Sequence, residues 1–410
     1  MHWLKNTRRA QQRLSLCRLV VDLTGPVRTA SEMADDLRAV VNREFVVPGD
    51  PVLIAWIQDR RGSLGAIVSH STVAIQAQAW YLFRYRSQSG WLSPKGVDEY
   101  VEGMPRQLGL VDEVFRVTEA GQILREVLGD DQDRRCWEEP CGDYNPMELP
   151  PDVRYFLAHA VVSADGDFLI PWVHRLVERF ASGVFSYLDA GVEIPPVLES
   201  MVANFEPVAY LVNDRHQLLA AESARSRIET EISTRKEKEG SGSRRDQTSV
   251  PRLEWLVDLG ILTRVNPSSL SYRFTPVGRD VASRLGAAYQ AAIKEHFADT
   301  ALQRVLDESF AGAAWPLLGA QDRSGRNWDV LTFLRPAYDA IDSISGYCLL
   351  RTLNLTAAIF AARRGASRPV EYSTVVAELE QTYKDRPGLV QFTVDRLSTD
   401  YQVKLLAKTD

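Results

Sequence analysis

Leu259-Gly260-Ile261-Leu262, nine residues, then Tyr272-Arg273-Phe274-Thr275-Pro276-Val277-Gly278-Arg279-Asp280-Val281: this stretch sets the local order helix, strand, strand, helix. An apolar run stops at Leu259-Gly260, and glycine takes the left-handed backbone that closes a helix. A short strand and a turn follow. Tyr272 and Phe274 sit two residues apart, so both rings share one face of the next strand and Arg273 takes the other. Thr275 is a helix N-cap, because its side-chain oxygen accepts from the first free amides. Pro276 suits the first helical position, where no N–H is required.

The same order occurs upstream. Leu108-Gly109-Leu110-Val111 is followed, after three residues, by Phe115-Arg116-Val117-Thr118-Glu119-Ala120-Gly121-Gln122-Ile123. Glu119 replaces the proline, and negative charge suits a helix N-terminus. Both stretches resemble winged helix-turn-helix modules, and the resemblance covers roughly a third of the chain. It implies a mainly α fold with small β-hairpin wings, built as tandem winged-helix modules joined by helical regions. It specifies a fold more than an activity, since such modules bind DNA, dock proteins and oligomerise alike. Winged modules joined by helical regions also look like the recognition parts of some bacterial restriction and antiphage defence systems.

Five regions follow from this reading. Residues 1–70 are a mixed N-terminal region, with strand-like Leu19-Val20-Val21-Asp22-Leu23 and a helix near 29–42. Residues 71–130 form the first, acidic module, with helices over 71–87 and from Ser93-Pro94 to Leu108. Residues 131–222 are a helical connector, in which Asp165-Gly166-Asp167 reads as a turn and Pro171-Trp172 as the start of a new helix. Residues 223–298 form the second, basic module: a charged helix over 222–239, a flexible loop at Gly240-Ser241-Gly242-Ser243-Arg244-Arg245, a recognition helix over 248–258, and the wing. Residues 299–410 are helical, with an apolar helix over 342–364, another over 372–384 and a closing strand at 401–405. That order is one of a degenerate third winged helix.

The 410 residues hold several domains, with 45% hydrophobic and 25% charged residues, as in soluble globular proteins. Four cysteines fit a reducing cytoplasm. No apolar run reaches the ~18–20 residues of a membrane span, so no membrane partner is expected. The first 18 residues carry five basic ones but no apolar stretch of the signal-peptide kind.

A formal charge of −6 argues against a generally nucleic-acid-adhesive protein, but the two modules differ in sign. Residues 95–150 hold 6 basic and 14 acidic residues, a net of −8. Residues 225–285 hold 12 basic and 8 acidic residues, a net of +4. Phosphates are repelled by the first and attracted by the second. Double-stranded DNA is therefore the expected partner of the second module, and a protein the expected partner of the first. In a helix-turn-helix the start of the recognition helix meets base edges. Arg244, Arg245, Gln247, Thr248, Ser249 and Arg252 occupy that start, and Arg264 and Arg273 lie on the wing. Arg and Gln can bond bases in bidentate fashion, and Ser and Thr can bond phosphate.

Catalytic constellations are absent from the sequence. There is no GxxxxGK[ST] loop, no GxSxG and no His-Glu-x-x-His motif. Cys136 and Cys141 precede His159 and His174, but no paired histidine spacing completes a zinc site, so no metal and no cofactor is expected. Asp395 with Lys404 resembles a nuclease pattern, yet Gln402 stands where the second acid is needed. Trp255 reads as core. The expectation is a non-catalytic, cytoplasmic winged-helix DNA-binding protein, a regulator or the recognition subunit of a larger DNA-handling assembly. The alternative is a protein–protein adaptor whose modules are docking platforms.

Overall fold

The computed structural model describes Leu4, Leu14, Cys17 and Val21, and residues 104–112, 116–128, 149–204, 215–237, 242–265, 270–295, 298–319, 330–345, 347–366, 369, 371–394 and 400–406. The helices expected over 29–42 and 71–87, Phe115, the acidic stretch 129–148 and Cys136 and Cys141 lie outside the described residues. Among the described residues helices dominate, and the strands form two small antiparallel sheets of three strands each.

The helices α1 (Met104–Gln107) and α2 (Glu119–Glu126) come first, followed by the long α3 (Pro151–Phe180). Then come β1 (Phe185–Ser186), α4 (Tyr187–Val192), α5 (Ile194–Ala203), α6 (Arg215–Glu237) and α7 (Gly242–Asp258). The hairpin β2 (Leu262–Arg264) and β3 (Ser271–Phe274) leads into α8 (Pro276–Glu295), α9 (Ala298–Glu308) and α10 (Phe310–Ala314). The chain closes with α11 (Val330–Ser345), β4 (Cys348–Leu349), α12 (Leu350–Arg363), α13 (Tyr372–Asp385), β5 (Val390–Val394) and β6 (Tyr401–Leu405).

The two sequence repeats share their helix stop and their helix cap, bond for bond. Gly109 and Gly260 have φ of +70° and +74°. Each helix end is locked by a pair of backbone bonds: the Leu110 and Ile261 amides donate to Pro105 and Leu256 (2.8 Å each), and the Gly109 and Gly260 amides to Arg106 and Val257 (3.0 Å each). The Thr118 hydroxyl accepts from the Gly121 amide (3.2 Å) and donates to the Gly109 carbonyl (2.6 Å). The Thr275 hydroxyl accepts from the Gly278 amide and donates to the Gly260 carbonyl, both at 2.8 Å. Gly121 and Gly278 matter for a separate reason: a Cβ on either would overlap the carbonyl oxygen of Leu110 or Ile261. In the first copy the described part of the hairpin is a single bridge, Val111 to Val117. In the second, Leu262, Thr263 and Arg264 pair with Phe274, Arg273 and Tyr272.

β1 pairs with β3 at Phe185↔Tyr272, giving the strand order β1-β3-β2. Residues 185–186 of the expected helical connector thus complete the second module's sheet. The C-terminal sheet has the order β4-β6-β5, with Cys348 opposite Val403. Both sheets follow one plan. A helix leads into a two-residue strand, helices follow, and a hairpin's last strand pairs with that first strand.

Several local expectations are corrected. α3 runs unbroken through Asp165-Gly166-Asp167 and Pro171. Gly166 leaves room inside the helix for the end of the Leu302 side chain, which a Cβ there would displace. Asp167 is buried and accepts from the Tyr289 hydroxyl (2.9 Å). Val21 is helical, and Leu14, Cys17 and Val21 form a buried stripe at helical spacing rather than a strand. Gly242, Ser243, Arg244 and Arg245 of the expected loop belong to α7, which starts six residues before Thr248. The apolar stretch 342–364 is split by β4 between α11 and α12.

By length and composition α3 is apolar enough to cross a bilayer, yet most of it is buried inside the protein, against α8 and α9 among others. One continuous apolar core links the described units, from Leu4 to Leu405. The Glu119 carboxylate of the first repeat accepts from the Leu349 amide (3.0 Å), and Arg363 of α12 pairs with Asp152 of α3.

Candidate nucleic-acid interface

The β1-β3-β2 sheet presents α7 beside the hairpin. The backbone of Arg244, Arg245 and Gln247 lies in the first two turns of α7. Their side chains are outside the described residues. Thr248 is half-buried, and its carbonyl accepts from the Arg252 guanidinium (3.1 Å). Arg273 is exposed opposite Thr263, and Arg279 is exposed in the first turn of α8.

Three of the eight sequence-predicted contacts are internal. Ser249 is buried. Arg252 is 0% exposed: its Nε and Nη2 bond the two Asp165 oxygens at 2.6 and 2.9 Å, and Nη2 also donates to the Leu4 carbonyl at 2.6 Å. Its guanidinium lies 4.7 Å from the Phe168 ring centroid and 5.7 Å from that of Trp255. Burial raises the Asp165 carboxyl, and Arg252 and the Leu4 amide draw it back down. Arg264 is 6% exposed and donates to Glu254 from Nε (3.0 Å) and Nη2 (2.5 Å), while the Tyr272 hydroxyl donates to the same oxygen (2.6 Å). Ser249, Arg252 and Arg264 therefore cannot face a duplex in this conformation. Parity betrays Arg264: it shares the inward face of its strand with Leu262, two residues away. The Arg252–Asp165 pair spans 87 residues, and only the charged residue amid apolar neighbours hints at it.

The burial extends along α7. From Ser249 to Leu259 every residue is buried except the half-buried Val257. Part of the cover is the N-terminal segment. The Leu4 amide donates to Asp165 and the Leu14 amide to Asp258, both at 2.8 Å. The buried charges within 225–285 cancel, two basic (Arg252, Arg264) against two acidic (Glu254, Asp258), so the remaining residues keep the +4 balance. Trp255 is core, as expected.

A second polar network sits under the C-terminal sheet. Asp400 accepts from the Tyr372 hydroxyl (2.5 Å) and the Arg351 amide (3.0 Å), and Arg351 pairs with Asp307 (3.2 Å). Glu371, just before α13, accepts from the Gly312 amide of α10 (2.8 Å). Burial pushes its carboxyl up to about 7, against the pull of the Gly312 and Ala311 amides. Its other oxygen and the Tyr155 hydroxyl are buried and find no hydrogen-bond partner among the described residues. His159 stands edge-on to Phe310 at 5.0 Å, and burial lowers it to about 3.

No group of three His, Cys, Asp or Glu among the described residues is placed to hold a metal. His174 faces Glu178 at 3.5 Å and His159 bonds Ser163. Lys404 lies over the Tyr347 ring at 5.2 Å, while Asp395 is outside the described residues. Comparison with protein-family models, with curated proteins and with solved structures finds no match to this chain.

Proposed function

We propose that the chain is a tandem winged-helix protein that contacts duplex DNA through the unit built on β1, β3 and β2. The observation that carries this reading is the strand order β1-β3-β2 around a hairpin that follows α7 directly, with a Thr-capped helix behind it. A helix so placed offers its first turns to a major groove, and its hairpin offers a second contact beside it. The contact set is then Arg244, Arg245, Gln247 and Thr248 on α7 and Arg273 on the wing, with Arg279 added. In this role the chain serves as a regulator or as the recognition subunit of a larger DNA-handling assembly.

The test is a titration of the full chain with duplex at two salt concentrations. Wild type is expected to bind with a steep salt dependence. Arg244→Ala with Arg245→Ala should weaken all sequences alike and lower the salt slope by about 2. Wild type that shows no salt-dependent binding would overturn the reading.

One observation favours the adaptor reading instead. Val184, Leu188 and Val192 are 45%, 40% and 47% exposed, and the last two stand four apart on α4 beside the same sheet. An exposed apolar stripe of this kind fits protein docking.

A further inference from the structure

A buried ion pair of the second unit grips a peptide backbone. Arg252 of α7 and Asp165 of α3 meet at full burial, Nε to Oδ2 at 2.6 Å and Nη2 to Oδ1 at 2.9 Å. The Thr248 carbonyl (3.1 Å) and the Phe168 ring (4.7 Å to its centroid) fix the guanidinium further. Residues of α3 and α7 thus position the pair. One residue of another segment then meets both partners. Asp165 Oδ1 accepts from the Leu4 amide (2.8 Å), and Arg252 Nη2 donates to the Leu4 carbonyl (2.6 Å). A neighbouring strand reads one residue of an extended chain in the same two-point way.

Farther along α7, Asp258 accepts from the amide of the helical Leu14 (2.8 Å), the kind of bond an N-cap makes. Leu14, Cys17 and Val21 are buried at spacings of three and four, one face of a helix. These three polar bonds use the backbone of the segment, so they set its course and not its sequence. The described side chains, Leu4, Leu14, Cys17 and Val21, supply apolar burial. Val21 and the next described residue, Met104, lie 83 positions apart, so chain order does not force the docking. The polar end also opens at little cost. When the segment leaves, the two bonds between Arg252 and Asp165 remain, and water replaces the two bonds to Leu4.

We propose that Asp165, Arg252 and Asp258 form a backbone-reading peptide site, and that the chain's own segment from Leu4 to Val21 is its ligand, an exchangeable strap that opens without unfolding the rest. The ligand class is a peptide with one residue that offers its N–H and C=O together, followed by a helix with apolar residues three and seven positions after its anchored amide. The inference does not depend on DNA binding.

Cys17 on the strap and Cys348 on β4 are both buried thiols at 0% exposure, so one reports opening of the strap and the other opening of the remaining fold. The test labels the full chain with a thiol reagent under native conditions and maps the sites by mass spectrometry. Cys17 should label at least about tenfold faster than Cys348, because local opening costs less than global unfolding. An excess of a synthetic peptide of residues 1–21 with Cys17→Ser should take the opened site and speed Cys17 labelling further, with Cys348 unchanged. The same peptide N-methylated at Leu4 and Leu14 keeps both side chains, lacks both amide hydrogens and should have no effect. Asp258→Ala in the chain should raise the Cys17 rate and leave the Cys348 rate near wild type. Equal rates at the two cysteines of wild type would mean that the segment leaves only when the protein unfolds, and the proposal falls. It falls equally if the peptide leaves the Cys17 rate unchanged, or if the N-methylated peptide acts as well as the unmodified one. Should Asp258→Ala unfold the chain, Cys348 labels along with Cys17, and the peptide competition on wild type still decides.

Discussion

The unit closed by β2 and β3 and the unit closed by β5 and β6 share a strand order and treat the helix before the hairpin in opposite ways. From Ser249 to its end α7 is buried apart from the half-buried Val257, and its charged residues Arg252, Glu254 and Asp258 are tied to Asp165, Arg264 and Leu14. α13 keeps a buried stripe and an open stripe. The strand order alone therefore does not say which helix is free to meet a partner. What decides it is what packs on the outside. At α7 that is α4, together with Asp165 of α3 and with Leu4 and Leu14 near the N-terminus.

The largest expected effect tests the seal. Arg252→Ala leaves the Asp165 carboxylate buried and unpaired and also frees the Leu4 carbonyl. Removing one partner of a buried ion pair costs about 3–5 kcal/mol. Lys384→Ala on the open face of α13 should stay within about 0.5 kcal/mol. Urea unfolding of the two variants measures the contrast. If Arg252→Ala costs no more than Lys384→Ala, α7 is not sealed and the comparison between the two units collapses.

The next effect bears on the two sequence repeats. Gly121→Ala and Gly278→Ala each place a methyl group against a carbonyl oxygen, of Leu110 and of Ile261. Backbone cannot yield as a flexible side chain does, so each should cost about 1–3 kcal/mol. Glycines in open surroundings make the control: Gly183→Ala meets nothing within 4 Å and should be near neutral. A neutral Gly121→Ala combined with a costly Gly278→Ala would show that the two copies are alike in sequence but not in tightness.

These effects also mark what was legible in the chain. Leu-Gly, the capping Thr and Tyr-x-Phe were readable because each acts within a few residues: a helix stop, a cap and a strand parity. The structure returns all three in the second copy. β1 was not readable, since Phe185–Ser186 is too short for any periodicity and its partner Tyr272 lies 87 positions further on. Asp165-Gly166-Asp167 and Pro171 carry the composition of a break, yet α3 passes through them because Arg252, Tyr289 and Leu302 supply what the local sequence lacks. Arg252 and Arg264 looked like contacts because long-range acid partners leave no local trace. The open stripe of α13 was in principle readable, since its polar and apolar positions separate cleanly at helical spacing.

A pH dependence sharpens the comparison from the C-terminal side. Burial raises the Glu371 carboxyl to about 7 from an ordinary 4.5. A group raised on folding favours the native state fully below its unfolded value, and that contribution disappears as pH rises through the folded value. Glu371 should therefore cost the native state stability progressively between about pH 4.5 and 7. His159 acts in the opposite sense: lowered to about 3 by burial, it favours the native state above its ordinary 6.5 and loses that contribution as pH falls. Glu371→Gln keeps an oxygen for the Gly312 amide and removes the titration, which isolates one group from the other. Relative to wild type, the variant should gain stability from pH 5 to pH 8. A constant difference across that range would mean that Glu371 is not desolvated and does not hold the start of α13 as drawn.

The smallest effect compares the two caps. Thr118 and Thr275 each accept one helix amide and donate to one helix-end carbonyl, so each links two helices as well as capping one. Loss of an N-cap costs about 1 kcal/mol. Both cap bonds are half-buried, but the Thr275 bond is 2.8 Å and the Thr118 bond 3.2 Å. Thr275→Ala should therefore cost more than Thr118→Ala, within the span of about 0.5–2 kcal/mol that such caps cover. Serine retains the hydroxyl, so Thr275→Ser should recover most of the loss, whereas Thr275→Val, which keeps the shape without the oxygen, should not. Hydrogen exchange at Gly278 and Gly121 reads the same bond directly. Protection at Gly278 should fall in Thr275→Ala and return in Thr275→Ser. If Thr275→Val is as stable as wild type, the side chain packs rather than caps, and the Thr-x-x-Gly match between the two repeats loses its physical basis.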